Sequence, residues 1–136
     1  MNVILDTNVF ISGIFFSGPP SEILAFWQNG KIELILSLQI LTEYQEVALR
    51  ISNQYPLIDI NPIIELVILK GIIIPSPSIQ TEICRDPDDE KFISCAVISD
   101  TGIIISGDKD LLELSGYKGI QILKPRSFID KYAKDL

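Results

Sequence analysis

The chain contains no histidine and only two cysteines, Cys84 and Cys95. The missing histidines exclude Ser-His-Asp and Cys-His catalysis and histidine-ligated metals. An enzyme built from this sequence works with carboxylates, lysines, hydroxyls or a metal held by oxygen. The cysteines lack a Cys-x-x-Cys spacing, so they read as reduced thiols of a cytoplasmic protein, and no zinc site is expected. No run reaches the about 18 uninterrupted apolar residues that cross a membrane. The N-terminus shows no charged segment leading into an apolar stretch and a small-residue cleavage site, so no signal peptide is expected. Positive charge is scarce as well, with 11 Lys and Arg against 18 Asp and Glu, a net charge of −7. That argues against a large electrostatic footprint on RNA or DNA. It argues less against a metal nuclease, because acids gathered at a metal site add negative charge that bound cations offset.

What is abundant is isoleucine and leucine. With 136 residues, 47% of them hydrophobic, the chain suits one compact domain spanning 1–136. Short apolar runs at Val3–Leu5, Glu33–Leu36, Ile72–Ile74, Ile103–Ser106 and Ile120–Leu123 read as strands. Between them lie helical patterns: 8–16, then 22–28 with Ser21 as N-cap and Asn29-Gly30 as stop, then 38–53. Further helices are expected over 63–70, from Asp89 to about Ser99, over 111–114, and from Pro125 to about Lys134. Strands alternating with helices predict a three-layer α/β/α sandwich around a central parallel sheet. The pattern does not order the strands, although Ile72–Ile74 is expected in the middle.

Four acids occupy comparable places. Asp6 and Asp108 follow apolar strands, Asp89 opens a helix, and Glu43 lies early in one with Glu46 and Arg50 on the same face. In open α/β sheets ligands bind beyond the carboxyl ends of strands. Magnesium and manganese take oxygen ligands, so these acids can form a metal site. Each also has a plainer reading. Asp6, Asp108 and Asp110 can cap helices, Asp86, Asp88 and Asp89 suit a helix start, and Glu43 can be a solvated helix residue. Thr7, Asn8 and Ser106 can steady the carboxylates or serve as ordinary caps. The residues alone therefore define an acidic site in an α/β domain that is able to bind metal.

The ordered motifs Val3-Ile4-Leu5-Asp6-Thr7-Asn8-Val9-Phe10, Leu36-Ser37 through Leu41-Thr42-Glu43, Asp86-Pro87-Asp88-Asp89-Glu90-Lys91-Phe92 and Ile105-Ser106-Gly107-Asp108-Lys109-Asp110-Leu111-Leu112 resemble the PIN-domain family. They are closest to its branch of toxin components of toxin–antitoxin systems. The resemblance covers essentially the whole chain. It implies a parallel α/β/α sandwich and a Mg²⁺- or Mn²⁺-dependent ribonuclease. It implies Asp6, Glu43, Asp89 and Asp108 as metal-binding catalytic acids, with Asn8 and Ser106 supporting and Asp110 assisting. Asp89 is preferred to Asp86 and Asp88 because it stands three residues before Phe92 and seven before Ala96, as the family's helix-start acid does relative to its apolar positions. Arg50, Arg85, Lys91 and Lys109 become candidate phosphate contacts, each also readable as a solvated or ion-paired surface residue. RNA is the implied substrate and an antitoxin the implied partner. The apolar 63–70 helix offers a face for a homodimer or an antitoxin, unless the core takes it.

Two other functions fit parts of the chain. An aspartyl-nucleophile phosphatase of the haloacid-dehalogenase type would use Asp6 and Gly107-Asp108, but it needs a second Asp where Asn8 stands. A response-regulator receiver needs its acid after a middle strand, and Ile72–Ile74 ends at Pro75. A binding module on the same fold, with acids but no turnover, is the non-enzymatic alternative.

Overall fold

The computed structural model describes residues 1–77 and 83–136. Five strands, β1 (Asn2–Leu5), β2 (Glu33–Ser37), β3 (Ile72–Ile74), β4 (Ile103–Ile105) and β5 (Gln121–Leu123), form one sheet in the order β3-β2-β1-β4-β5. All its pairings are parallel. Helices α1 (Thr7–Phe15), α2 (Pro19–Gln28), α3 (Leu38–Ser52), α4 (Asn61–Lys70), α5 (Glu90–Ser99), α6 (Lys109–Leu112) and α7 (Pro125–Tyr132) fill the connections.

The steps from β1 to β2 and on to β3 run one way across the sheet, and those through β4 to β5 run the other way. Right-handed crossovers in opposite directions place their helices on opposite faces, which gives the three layers expected from the alternation. β1 and β4 are buried throughout apart from Asn2, as the interior strands of a covered sheet must be. Trp27, Phe10, Tyr44 and Phe128 are the largest buried side chains of the core. Phe10 and Tyr44 stack with ring centroids 4.1 Å apart, tying α1 to α3. Gly13 lets α1 and α2 approach: a Cβ there would lie 2.6 Å from Leu24 Cδ1.

Several expectations are corrected. β3 is an edge strand and β1 is central. Chain order misleads here because the sheet grows outward from β1 in both directions, so the third strand in sequence ends at an edge. The ground given against a receiver therefore fails, since the middle strand does end on an acid. Helix α2 starts at Pro19 behind Gly18, and Ser21 is not its cap. Proline's fixed φ suits the first helical position, which prevails over the local appeal of Ser21. Helix α4 starts at Asn61, two residues early, and only Val67 is fully buried, while Leu69 is 81% exposed. Its apolar surface is shared between core and solvent. The last helix ends at Tyr132 and a 3₁₀ turn, Ala133–Asp135, follows. No single helix among the described residues is long and apolar enough to cross a membrane.

Candidate active site

The order of the sheet reverses between β1 and β4, and this switch point is where the acids gather. Register brings them there. Leu5 pairs with Ile105, and Asp6 N–H continues the ladder by donating to Ile105 O at 3.0 Å. The next residues along, Asp6 and Ser106, are thus side by side, and Ser106 Oγ donates to Asp6 Oδ2. Asp6 Oδ1 accepts from Asn8 N at 2.7 Å and Val9 N at 3.4 Å, capping α1. The cap reading and the site reading of Asp6 describe the same geometry, because capping fixes the carboxylate at the strand end. Ser106 Oγ also accepts from Asp108 N at 2.9 Å, and Asp108 Oδ1 accepts from Asp110 N at 3.0 Å. A chain of short-range bonds therefore sets Asp6, Ser106, Asp108 and Asp110.

Asp6, Thr7, Asn8, Glu43, Glu46, Arg50, Asp86, Asp88, Asp89 and Asp108 line one cleft of about 440 Å³. All four acids implied by the resemblance face it, and so do the alternatives Asp86 and Asp88. Burial separates the three: Asp86 and Asp88 are exposed, while Asp89 is 7% exposed. Asp86 instead caps the 3₁₀ turn Pro87–Asp89 by accepting from Asp88 N at 3.0 Å. Oxygen atoms of Asp89, Asp108 and Asp110 lie within 4.8 Å of one another, the group best placed to hold a metal ion. Asp110, expected only to assist, belongs to that group, whereas Asp6 and Glu43 stand outside it.

The electrostatics are those of crowded acids. Burial raises the Asp89 carboxyl to about 7, helped by a hydrogen bond to the Asp108 carboxylate and by the charges of Asp108, Asp86 and Asp6. Asp89 Oδ2 is shut off from solvent and has no hydrogen-bond partner among the described residues. Burial also raises Asp6, against the opposing bonds from Ser106, Asn8 and Val9. An orphaned, buried carboxylate oxygen among crowded acids fits a hard divalent ion with oxygen ligands. Thiol chemistry has no support: burial pushes Cys95 and Cys84 each to about 12, so both stay protonated.

The candidate cations fall into different roles. Arg85 is largely exposed and pairs with Glu113 at 3.4 Å and Asp110 at 3.7 Å. Lys109 is exposed beside the cleft. Arg50 lines the cleft and is the one cation among its described lining residues. Lys91 is not a rim residue: its side chain is 9% exposed and its Nζ lies 2.6 Å from Glu43 Oε2. Thr7 Oγ1 donates to Glu43 Oε1. The expectation that Lys91 is free to meet phosphate is thus replaced by an ion pair. Tyr44 OH donates to Leu5 O just before Asp6, a contact that the helical pattern over 38–53 does not reveal.

The fold, the four ordered motifs and the cleft describe a parallel α/β domain with an acidic cleft at the switch point of its sheet. Residues 2–110 match the PIN domain, and the chain belongs to that family. It is also 32% identical over 145 residues to the uncharacterized protein MJ1680 of Methanocaldococcus jannaschii, an alignment spanning 98% of this chain and 93% of that protein.

Proposed function

We propose that this PIN-domain protein is a cytoplasmic, Mg²⁺- or Mn²⁺-dependent endoribonuclease, the toxin component of a toxin–antitoxin pair, acting as a single domain over 1–136. The observation that carries the reading is Asp89: a buried carboxylate with one orphaned oxygen, grouped with Asp108 and Asp110 at the switch point of a PIN domain. Asp89, Asp108 and Asp110, with Asp6 adjoining them through Ser106, are the residues that would hold the ion, and Glu43, the other ligand the resemblance implies, lines the same cleft. Bound there, a divalent ion supplies an activated water and stabilises charge on a phosphoryl group and its leaving oxygen. Ser106 and the α1 amides orient Asp6, and Ser106 fixes the turn carrying Asp108. Arg50 is the group in the cleft suited to a substrate phosphate.

Seven acids against one arginine line the cleft among the described residues, a charge excess that repels RNA until cations bind. The same excess favours a second reading, a protein-binding module for a basic partner segment. Cleavage of a mixed single-stranded and structured RNA pool decides between them, comparing wild type with Asp6→Asn in Mn²⁺, Mg²⁺ and EDTA. The nuclease reading expects metal-dependent cleavage that disappears in the variant. Folded wild-type protein that cleaves nothing in either metal favours the module, and equal cleavage by both proteins refutes the site.

A further inference from the structure

Glu43 stands between two depressions. The acid cleft lies on one side, and on the other is a shallower hollow lined by Leu38, Gln39, Thr42, Ser76 and Lys91. Lys91 reaches Glu43 from that second side. Its ammonium lies 2.6 Å from Glu43 Oε2 and donates to Asp88 O, also at 2.6 Å. One side chain therefore ties α3, which carries Glu43, to the turn that carries Asp89. Exposed Lys–Glu pairs contribute little and rearrange freely. This lysine is 9% exposed and doubly held, so the pair is a fixed part of the wall.

Asp6 and Glu43 both have their oxygens engaged, but by different chemistry. The donors to Asp6 are neutral amides and a hydroxyl, which orient a carboxylate and leave its charge. Lys91 brings a full positive charge to Glu43. A carboxylate so neutralised attracts a divalent ion weakly, yet its remaining lone pairs still accept hydrogen bonds. The closest acid group, Asp89, Asp108 and Asp110, includes neither Glu43 nor Asp6, and of these two only Glu43 is paired with a cation. Resting on the metal-dependent nuclease reading above, we propose that Lys91 is a positioning residue: it holds Glu43 on the cleft wall, apart from the acids that take up the ion, and reserves it for orienting the water consumed in hydrolysis.

The test measures Mn²⁺ affinity and RNA cleavage on the full chain, for wild type, Lys91→Met, Lys91→Arg, Glu43→Gln, the double variant Glu43→Gln/Lys91→Met, and Asp108→Asn. Lys91→Met releases Glu43 toward the ion and removes a positive charge, so Mn²⁺ should bind about threefold or more tighter while kcat falls about tenfold or more. Lys91→Arg keeps the charge and should restore part of kcat. The double variant should lose the gain in affinity. Glu43→Gln should leave Mn²⁺ affinity within about threefold of wild type while kcat collapses, and Asp108→Asn should lose about tenfold or more in affinity. Glu43→Gln carries the test by itself if Lys91→Met does not fold. Unchanged or weaker Mn²⁺ binding by folded Lys91→Met overturns the proposal, as does a loss in Glu43→Gln equal to that in Asp108→Asn. Wild type that binds Mn²⁺ but cleaves no RNA overturns the nuclease reading and the water-orienting role with it. Wild type that binds no Mn²⁺ overturns the metal site as well.

Discussion

Replacing Asp89 by asparagine should make the metal-free protein more stable, although Asp89 is buried and hydrogen-bonding residues of that kind usually cost stability when changed. The reason is the company it keeps. Its carboxyl is raised from 3.8 to about 7 by burial, by the Asp108 carboxylate and by the charges of Asp108, Asp86 and Asp6. A folded-state value above the unfolded one means that the folded chain holds the proton more tightly. The contribution of Asp89 to the stability of the metal-free protein is therefore fully present below pH 3.8 and is lost as pH rises through about 7. At pH 8 the raise corresponds to at most about 4 kcal/mol. The cleft opens to solvent, which screens the charge, so about 2 kcal/mol is the expected cost of the charged residue.

The substituted side chain would present an amide donor to Asp108 and no charge. In EDTA at pH 8, Asp89→Asn should melt about 6 °C higher than wild type, from about 3 °C per kcal/mol for a chain of this size. The advantage should shrink as pH falls toward 4. In saturating Mn²⁺ the order should reverse, because an ion bound at 100 times its Kd adds about 2.7 kcal/mol to wild type alone. Calorimetry or dye-monitored melting at three pH values, with EDTA and with Mn²⁺, reads all of this. A variant less stable than wild type in EDTA at pH 8, or an advantage independent of pH, refutes the reasoning.

Two further substitutions test separate parts of the site. Ser106→Ala removes the donor to Asp6 and the acceptor for Asp108 N within a fully buried setting, so urea unfolding should show a loss of about 1–3 kcal/mol. A change under about 0.5 kcal/mol would show that neither bond matters. Arg50→Gln should raise KM for RNA about threefold or more with kcat nearly unchanged, and should flatten the salt dependence of KM. An equal fall in kcat would instead place Arg50 at the reacting phosphate.

The strands were legible because each is a short apolar run, four of the five closed within two residues by Gly, Pro or an acid, a pattern that burial on both faces imposes locally. The Asp6 and Ser106 positions were legible for the same reason, since strand ends are visible in sequence. Strand order was not. β3 pairs with β2 at one edge and β4 returns to β1 across the molecule, and these pairings join residues too distant for any local pattern to reveal. The start of α2 was missed where two local signals competed and proline prevailed. Lys91 was left between a phosphate contact and an ion pair because its role depends on Glu43, 48 positions earlier, meeting it across α3 and the turn before α5. A basic residue two positions after a site acid looks the same in sequence whether it faces solvent or an ion pair.

Asp89 shows how the two levels meet. Sequence offered Asp86, Asp88 and Asp89 as equivalent helix-start acids on physical grounds, and a family resemblance separated them. The structure separates them independently: Asp86 spends its carboxylate on capping the turn, Asp88 stays exposed, and Asp89 alone turns its side chain into the buried side. That distinction follows from the turn itself. A 3₁₀ segment places successive side chains about 120° apart, so of two adjacent acids only one can face the core side. The preceding Asp86 and Pro87 set where the turn begins, and hence which acid is buried. Moving the start of the turn by one residue would bring Asp88 inward and leave Asp89 in solvent. The placement of Asp89 in the cleft therefore depends on a capping aspartate and a proline.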